Sequence, residues 1–324
     1  MAKRIKAIPV DAYVSTLLRR RAPSAQSLIV TLFGDCVSQH GGSLWLGSLI
    51  RVLELFGVNE RLTRTSVYRL VQDDWLGVER SGRRSYYRFA PHGQREFLRA
   101  ARRIYSIERL PWDGSWTLAV LHGVSGEVRE RLRRSLGWIG FAQLVPGVYA
   151  HPCPDRAALT DLLDELGVVH DVLLMDACIA EPAAVPVLMQ SRWRLRELAA
   201  RYRRFAADFA PLARAVSSAA DSQTCFVVRT LLIHEYRRIL LADPDLPSAL
   251  LPVDWPGRTA AELTQLLYTA VAGRATHYAM QQLENAAGPL PAPADGAFTR
   301  FTASGADQPA SVTSRRSQPR RRMR

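Results

Sequence analysis

Residues 59–71 read NERLTRTSVYRLV, and this stretch decides how the rest of the chain is interpreted. Asn59 is suited to begin a helix, because its side chain can accept a hydrogen bond from the free amides of the first turn. One face at helical spacing is mainly apolar and carries Leu62 or Thr63, Val67, Leu70 and Val71. A second face at the same spacing is basic and polar and carries Arg61, Arg64, Thr65 and Tyr68. The pattern predicts a helix that packs on one side and presents a basic side to a partner.

A basic hairpin is predicted directly after this helix. Residues 75–79 read WLGVE and residues 85–89 read SYYRF, two short strands around an SGRR turn in which Gly82 permits positive φ. A helix followed by such a hairpin is the layout of a winged helix-turn-helix, whose helix enters the major groove while the hairpin contacts phosphates or the minor groove. The predicted DNA contacts are Arg61, Arg64, Thr65, Tyr68, Arg69, Arg83, Arg84 and Tyr86.

The composition favours a polyanionic partner. The chain has 324 residues and a formal net charge of +13, which suits nucleic acid, although six of the arginines lie in the last ten residues. The four cysteines are scattered without a CxxC pair, so we expect a reducing, cytoplasmic compartment and no structural zinc. No apolar run is long enough to span a bilayer, and neither a membrane partner nor a cofactor is expected.

The pattern along the chain predicts an α+β protein of several domains. A basic N-terminal arm is expected over residues 1–24, and the winged helix-turn-helix domain over 25–110. Residues 111–180 have the order β-α-β-β-α-β of a ferredoxin-like sandwich, which we interpret as a scaffold and dimerisation domain. Residues 181–288 are predicted to form an α-helical, effector-sensing domain, and residues 289–324 a disordered basic tail.

Four stretches between residues 24 and 285 carry a family resemblance. They are SLIVTLFGD at 27–35, TRTSVYRLV with WL at 63–76, GF through LVPG to Pro152, and LIHEYRR through DPDLP to DWPG at 232–257. Together they resemble the PaaX-type repressors of phenylacetic acid degradation. The chain departs from the family pattern at Ser66, Val67 and Tyr68, on or beside the predicted DNA-reading face, so a different operator sequence is expected.

The resemblance implies a function that the residues alone do not specify. It implies a homodimeric repressor of a catabolic operon that binds a palindromic double-stranded DNA operator. It also implies release of the operator when an acyl-CoA effector, phenylacetyl-CoA, accumulates.

A polar cluster in the predicted helical domain is the candidate site for such a thioester. Residues 234–238 read HEYRR, and arginine can bind the phosphates of CoA in a bidentate manner. Aromatic side chains nearby could form an apolar pocket for a phenyl ring. The candidate ligand-binding residues are Trp193, Tyr202, His234, Tyr236, Arg237, Arg238 and Trp255. The alternative is that His234 and Glu235 are internal hydrogen-bonding residues that fix the proline-rich loop near Trp255.

Two other function classes remain open. One is an enzyme that acts on a CoA thioester or a nucleic acid, built around His234 and Glu235, with the winged helix as an adaptor. The other is a non-specific nucleic-acid packaging protein, suggested by charge. Ferredoxin-like domains of this type resemble the small CRISPR-associated nuclease subunit, which has an acid at the end of its first strand, whereas residues 121–123 read LHG. Because no catalytic motif is present, we predict a regulator and not an enzyme.

Overall fold

The computed structural model describes residues 9–105, 112–180, 183, 185–216, 220–293 and 300–301. The protein combines helices with small antiparallel sheets, which confirms the mixed α and β composition predicted from the sequence. Among the helices of the described residues, none is both long and apolar enough to cross a membrane.

The predicted DNA-binding segment surrounds a three-stranded antiparallel sheet with the order β1-β3-β2. The elements are α1 (Val10–Arg20), α2 (Ala25–Asp35), β1 (Ser43–Trp45), α3 (Leu46–Glu54), α4 (Glu60–Gln72), β2 (Leu76–Ser81), β3 (Arg84–Phe89) and α5 (Pro91–Tyr105). Asn59 caps α4 as predicted, since its Oδ1 accepts from the Leu62 amide at 2.9 Å. The amphipathic pattern that begins at Ser43 or Leu44 and ends at Phe56 predicts one helix, and this prediction is wrong for residues 43–45, which form β1. Its apolar residues run on into α3, so the local pattern does not mark where the strand ends.

The first helix is docked and is not a free arm. Val14 and Leu17 of α1 are buried, and the Tyr13 hydroxyl donates to the Asp208 carbonyl at 2.9 Å. Arg21, just after α1, binds the Asp208 carboxylate at 2.6 Å. Residues 10–20, predicted as part of a basic arm, therefore belong to the folded body, and residues 1–8 of that arm lie outside the described residues.

The middle region has the element order β-α-β-β-α-β that the sequence predicts. Its elements are β4 (Ser115–Leu121), α6 (Gly126–Trp138), β5 (Ala142–Val145), β6 (Val148–His151), α7 (Arg156–Leu166) and β7 (Val172–Cys178). The strands form one antiparallel sheet in the order β5-β6-β4-β7, so β5 and β7 lie at its edges. Leu132 and Leu136 of α6 and Leu159 of α7 pack in a hydrophobic cluster separate from the rest of the protein.

The remaining described residues are mainly helical. They form α8 (Val185–Arg192), α9 (Leu195–Ala215), α10 (Ser222–Leu240), α11 (Pro256–Gln282), and a short hairpin of β8 (Glu284–Asn285) and β9 (Gly288–Pro289). Apolar and aromatic residues at spacings of three and four along α9 are buried, including Tyr202, Phe205 and Phe209. Helix α10 packs against α2, α5, α9 and α11, and almost all of its residues are buried. The predicted DNA-binding segment and the helical region therefore share one continuous hydrophobic core.

A buried ionic centre lies inside that shared core. Asp35 at the end of α2 receives Arg229 of α10, with Nε 2.7 Å from Oδ2, and Arg300, with Nη1 3.1 Å from Oδ1. The hydroxyls of Tyr105 and Tyr268 donate to the same carboxylate at 2.6 Å and 3.2 Å. One carboxylate thus connects α2, α5, α10, α11 and a residue from the C-terminal segment.

Part of the predicted disordered tail is ordered. The Pro291 carbonyl lies 2.7 Å from Nδ1 of His40, and Gln265 Nε2 donates to the Phe301 carbonyl at 2.6 Å. The Phe301 ring packs on Tyr105 and Tyr268. These contacts fix residues 289–293 and 300–301 against the body, an outcome that the polar, proline-rich composition does not indicate.

Candidate functional site

The outer face of α4 presents the predicted basic and aromatic side chains to solvent. Thr63, Ser66, Val67 and Leu70 are buried and fix the helix against the core. The residues exposed on the other side are Arg61, Arg64, Thr65, Tyr68 and Arg69. Tyr68 is 66% exposed, so its ring takes no part in the core. This face is free to contact a macromolecule.

Arg64 is held in an extended, exposed pair. Its Nη2 lies 2.7 Å from Oε1 of Glu60, one turn earlier on α4. Exposed pairs of this kind contribute little stability, because water solvates both partners when they separate. The guanidinium can therefore exchange the glutamate for a phosphate or a base edge at small cost.

The hairpin beside α4 carries the second part of the predicted surface. Gly82 has φ of 57° at the turn, as its position requires, and Arg83 and Arg84 are exposed. Tyr86 is 7% exposed and lies in β3 between Trp45 of β1 and Glu79 of β2. The expectation that Tyr86 contacts DNA is therefore corrected, because its side chain is buried on the sheet beside its cross-strand partners Trp45 and Glu79.

The predicted effector cluster on α10 is engaged in internal contacts. His234 is fully buried, and its Nδ1 lies 3.3 Å from the Thr31 hydroxyl of α2. Glu235 accepts from Arg21 at 3.0 Å and from Arg238 at 3.2 Å. Arg237 reaches Ser27, with Nη1 3.3 Å from Oγ. These contacts favour an internal hydrogen-bonding role for His234 and Glu235, as the alternative stated. They join α10 to α2 and to the segment after α1, however, and not to the proline-rich loop near Trp255.

The aromatic members of the predicted pocket are also packed inside the protein. The Tyr202 hydroxyl donates to Asp243 at 2.6 Å, and its ring meets Trp255 edge-on at 6.0 Å. Tyr236 packs on Phe205 with ring centroids 5.6 Å apart. Of the seven predicted ligand-binding residues, Trp193 alone borders the groove described next.

A groove of about 380 Å³ lies where the middle region meets the helical region. Its volume falls within the range of about 300–1,000 Å³ that is usual for ligand pockets. The side chains that give it chemical character are Arg134, Trp138, Arg192, Trp193 and Arg194. Trp138 is 72% exposed at the end of α6. Within the part of the chain that the structure describes, neither Arg134 nor Arg192 forms an ion pair with an acid.

Apart from Trp193, the groove residues were missed because they come from separate parts of the sequence. Residues 192–194 read RWR, an aromatic residue between two cations, and that local signal was available. The contribution of α6 was not, because only the packing of the two regions brings Arg134 and Trp138 to the same place.

The floor of the groove is a small set of hydrogen bonds between regions. Trp193 Nε1 donates to the Gly140 carbonyl at 2.9 Å, and His151 Nε2 lies 2.8 Å from the Pro244 carbonyl. Gly140 has φ of 92°, and a Cβ there would lie 2.7 Å from the Pro244 oxygen. Arg103 of α5 donates to the Asp243 carbonyl at 2.7 Å. A ligand in the groove would thus lie against the loop that also contacts α5.

The geometry defines a class of protein with a basic helix-and-hairpin surface at one place and a cationic, aromatic groove at another. Three family models match these regions in order: the PaaX-like protein over residues 24–93, the PaaX protein central Cas2-like domain over 109–186, and the PaaX-like protein C-terminal domain over 193–281.

The chain belongs to the PaaX-like family, as the resemblance predicted. It is 38% identical over 298 residues to the transcriptional repressor PaaX of Escherichia coli strain K12, an alignment that covers 90% of this chain and 94% of the relative. It is also similar in fold to an uncharacterized protein from Mycobacterium tuberculosis. That match has a TM-score of 0.51 and 24% identity, and covers 78% of this chain and 97% of the other.

Proposed function

We propose that the protein is a transcriptional repressor that binds a palindromic operator as a homodimer and releases it when an aryl-CoA thioester binds. The observation that carries the DNA-binding part is the exposed basic face of α4, with Tyr68 projecting from it beside an arginine-tipped hairpin. In this proposal residues 25–110 act as a winged helix-turn-helix, α4 lies in the major groove and the hairpin lies along phosphates. The repressor role of the E. coli relative supports it.

The proposed dimer pairs through the middle region, which we interpret as a ferredoxin-like scaffold. Leu173 and Met175 are exposed on the edge strand β7. Exposed apolar edge strands favour pairing with another chain, because their backbone groups are unpaired and their side chains gain from burial. A dimer of this kind presents two copies of α4, which must lie about 34–36 Å apart or a multiple of it to read successive major-groove faces.

The proposed effector site is the groove between the middle and helical regions. A CoA thioester carries phosphates that arginine binds well, and Arg134, Arg192 and Arg194 supply three cations there. The exposed ring of Trp138 offers a surface on which an adenine or phenyl ring can stack. The internal contacts of His234 and Glu235 leave these residues little room for a ligand, which is why the groove is preferred to the α10 cluster.

The DNA-binding part is tested with two duplexes of equal length and composition. One carries the segment upstream of the gene that encodes the protein, and the other carries the same bases scrambled. At physiological salt we expect affinity for the promoter duplex to exceed that for the scrambled one by about a thousandfold or more. Equal affinity for both duplexes would favour the non-specific packaging function instead.

The effector part is tested by calorimetry with phenylacetyl-CoA. We expect saturable binding that weakens about tenfold in Arg192→Ala, because a charge-assisted contact to a phosphate is lost. Arg196→Ala is the matched control, since Arg196 is exposed on the next helix and does not line the groove. Equal weakening in both variants, or no binding by the unmodified protein, would contradict the assignment. An assay for free CoA in the same samples distinguishes a binding protein from a thioesterase.

A further inference from the structure

The hairpin tip in the DNA-binding segment is docked on the C-terminal hairpin. Strand β8 packs beside β1, and Glu284 of β8 extends to the β2–β3 hairpin, the proposed wing, where its Oε2 lies 3.1 Å from Nη1 of Arg84. Arg84 is one of the two arginines at the turn for which a phosphate contact is proposed. A carboxylate from the end of the helical region therefore forms an ion pair with an arginine of the proposed DNA-binding surface.

The guanidinium of Arg84 packs on the aromatic ring of Trp45. Its Cζ lies 4.3 Å from the ring centroid of Trp45, and Arg51 approaches the same ring at 5.4 Å. The ring lies against Gly47, where a Cβ would come within 2.5 Å of it, so this close approach requires glycine. An arginine held on an indole keeps its charge and its free N–H groups directed outward, so Arg84 is pre-oriented for an oxyanion.

Glu284 is held in place by contacts of both its backbone and its side chain. Its backbone amide donates to the Ser48 hydroxyl at 3.1 Å, and its Oε1 lies 3.8 Å from Arg51. Arg51 also donates to the carbonyl of Gln282, the last residue of α11, at 3.2 Å. The position of the carboxylate is thus set jointly by α3 of the DNA-binding segment and by α11 of the helical region.

We infer that Glu284 competes with DNA phosphate for Arg84 and thereby limits the affinity of the wing for DNA. Glu284 already neutralises the charge of Arg84, so the arginine attracts a DNA phosphate less strongly. The negative charge of the Glu284 carboxylate also repels the phosphate, and both effects oppose binding. Glu284 lies two residues after the end of α11, so a shift of that helix changes the strength of the ion pair between Glu284 and Arg84. The inference rests on the proposed DNA-binding function and adds the C-terminal hairpin to the DNA-binding surface.

Binding to a fluorescein-labelled duplex of mixed sequence, followed by anisotropy over a series of salt concentrations, measures the competition without knowledge of the operator. Glu284→Gln keeps the shape of the side chain and removes its charge. We expect a salt slope steeper by about 0.9 and an affinity roughly three- to tenfold higher at about 0.1 M salt, because one more cation becomes available to phosphate. Circular dichroism melting verifies the fold, which an exposed ion pair supports only weakly.

Two comparisons separate competition from a general charge effect. Glu96→Gln removes an equally exposed carboxylate, 35% exposed as in Glu284, that is paired with Arg99 on α5, and it should leave the slope unchanged. In an Arg84→Ala background the gain from Glu284→Gln should disappear. A gain that persists without Arg84, or a Glu284→Gln protein with unchanged or weaker binding, would overturn the inference. If the unmodified protein shows no salt-dependent binding, the proposed DNA-binding function itself fails.

Discussion

Arg64 and Tyr68 are the residues on which the proposed reading of DNA sequence depends most. Both project from the exposed face of α4, one turn apart, and neither contributes to the core. We expect Arg64→Ala and Tyr68→Ala each to reduce the preference for promoter over scrambled duplex by about 1–3 kcal/mol, the range for a good base contact. Competition binding with the two duplexes measures this preference directly.

The matched control is Arg133→Ala on α6. Arg133 is exposed to a similar degree and is paired with a glutamate one turn earlier, as Arg64 is. It should leave the promoter preference unchanged. Unaltered preference in both α4 variants would mean that another element reads the sequence.

Asp35 is the residue whose loss should most destabilise the fold. Burial alone would raise the pKa of Asp35, but Arg229 and Arg300 outweigh it and hold the pKa below its usual value. Asp35→Asn leaves two buried guanidinium groups without their counter-charge, so we expect a loss of about 3–5 kcal/mol in the free energy of unfolding, measured by urea titration. Asp161→Asn, at an exposed pair with Arg99, should change it by less than about 0.5 kcal/mol. A small effect at Asp35 would contradict its central role.

Buried histidines should make the protein less stable in mild acid. Burial, with Arg238 and Arg237 nearby, lowers the pKa of His234 to about 3, and burial also lowers the pKa of His151 and of His40. An unfolded histidine titrates near pH 6.5, so below that value the unfolded chain binds more protons and is favoured. The stabilisation is fully present above about pH 6.5 and is lost as the pH falls toward the folded pKa.

The expected slope from His234 alone approaches about 1.4 kcal/mol per pH unit below about pH 6, and urea midpoints at a series of pH values measure it. Asp35 contributes in the same direction only below about pH 4, where its unfolded carboxyl titrates. His234→Asn should flatten the slope by close to one proton. A stability that is constant between about pH 7 and pH 5 would refute the neutral, buried state of these rings.

At the scale of elements, local sequence signals predicted α4 and its cap correctly. The amphipathic period of α4 and the polar residue before it are signals that extend over only a few residues. The turn at Gly82 was predicted correctly for the same reason. Strand β1 and the β8–β9 hairpin were missed because each is only two or three residues long and depends on a partner that is distant in sequence.

The candidate effector cluster shows where local reasoning fails. Helix α10 is buried on nearly all sides, so its polar residues do not mark a surface. The partners of Glu235 and His234 come from Arg21 and Thr31, some two hundred residues earlier, and no periodicity reveals them. The groove was not predicted for the same reason, because its arginines and tryptophans meet only through the packing of two regions.

The edge strand β7 is the element proposed to hold the dimer together. Leu173 is 51% exposed on this strand, which pairs with β4 along its other edge. We expect Leu173→Glu to shift the protein toward monomers in light scattering and to weaken promoter binding, because a buried, unpaired charge would oppose the pairing. Val187→Glu changes an equally apolar, exposed residue on α8 and should leave the assembly intact. Identical masses for both variants would redirect the search to another interface.

At the scale of the whole molecule, two sets of contacts lead from the helical region to the proposed DNA-binding surface. One starts at the groove and passes through the Asp243 carbonyl to Arg103 on α5, the helix that follows the β2–β3 hairpin. The other runs from Gln282 at the end of α11, and from Glu284 just after it, to Arg51 and Arg84; α11 itself does not line the groove. A ligand changes DNA affinity only by the difference in its own affinity for the two arrangements, so a hundredfold effect requires about 2.7 kcal/mol of coupling.

The most direct test of this account is a titration of the labelled promoter duplex with protein, performed with and without saturating phenylacetyl-CoA. The account expects an affinity for the promoter about a hundredfold lower when the thioester is bound, which corresponds to about 2.7 kcal/mol. An unchanged promoter affinity, in samples where calorimetry shows the thioester to be bound, would contradict the central claim that this protein is a ligand-released repressor.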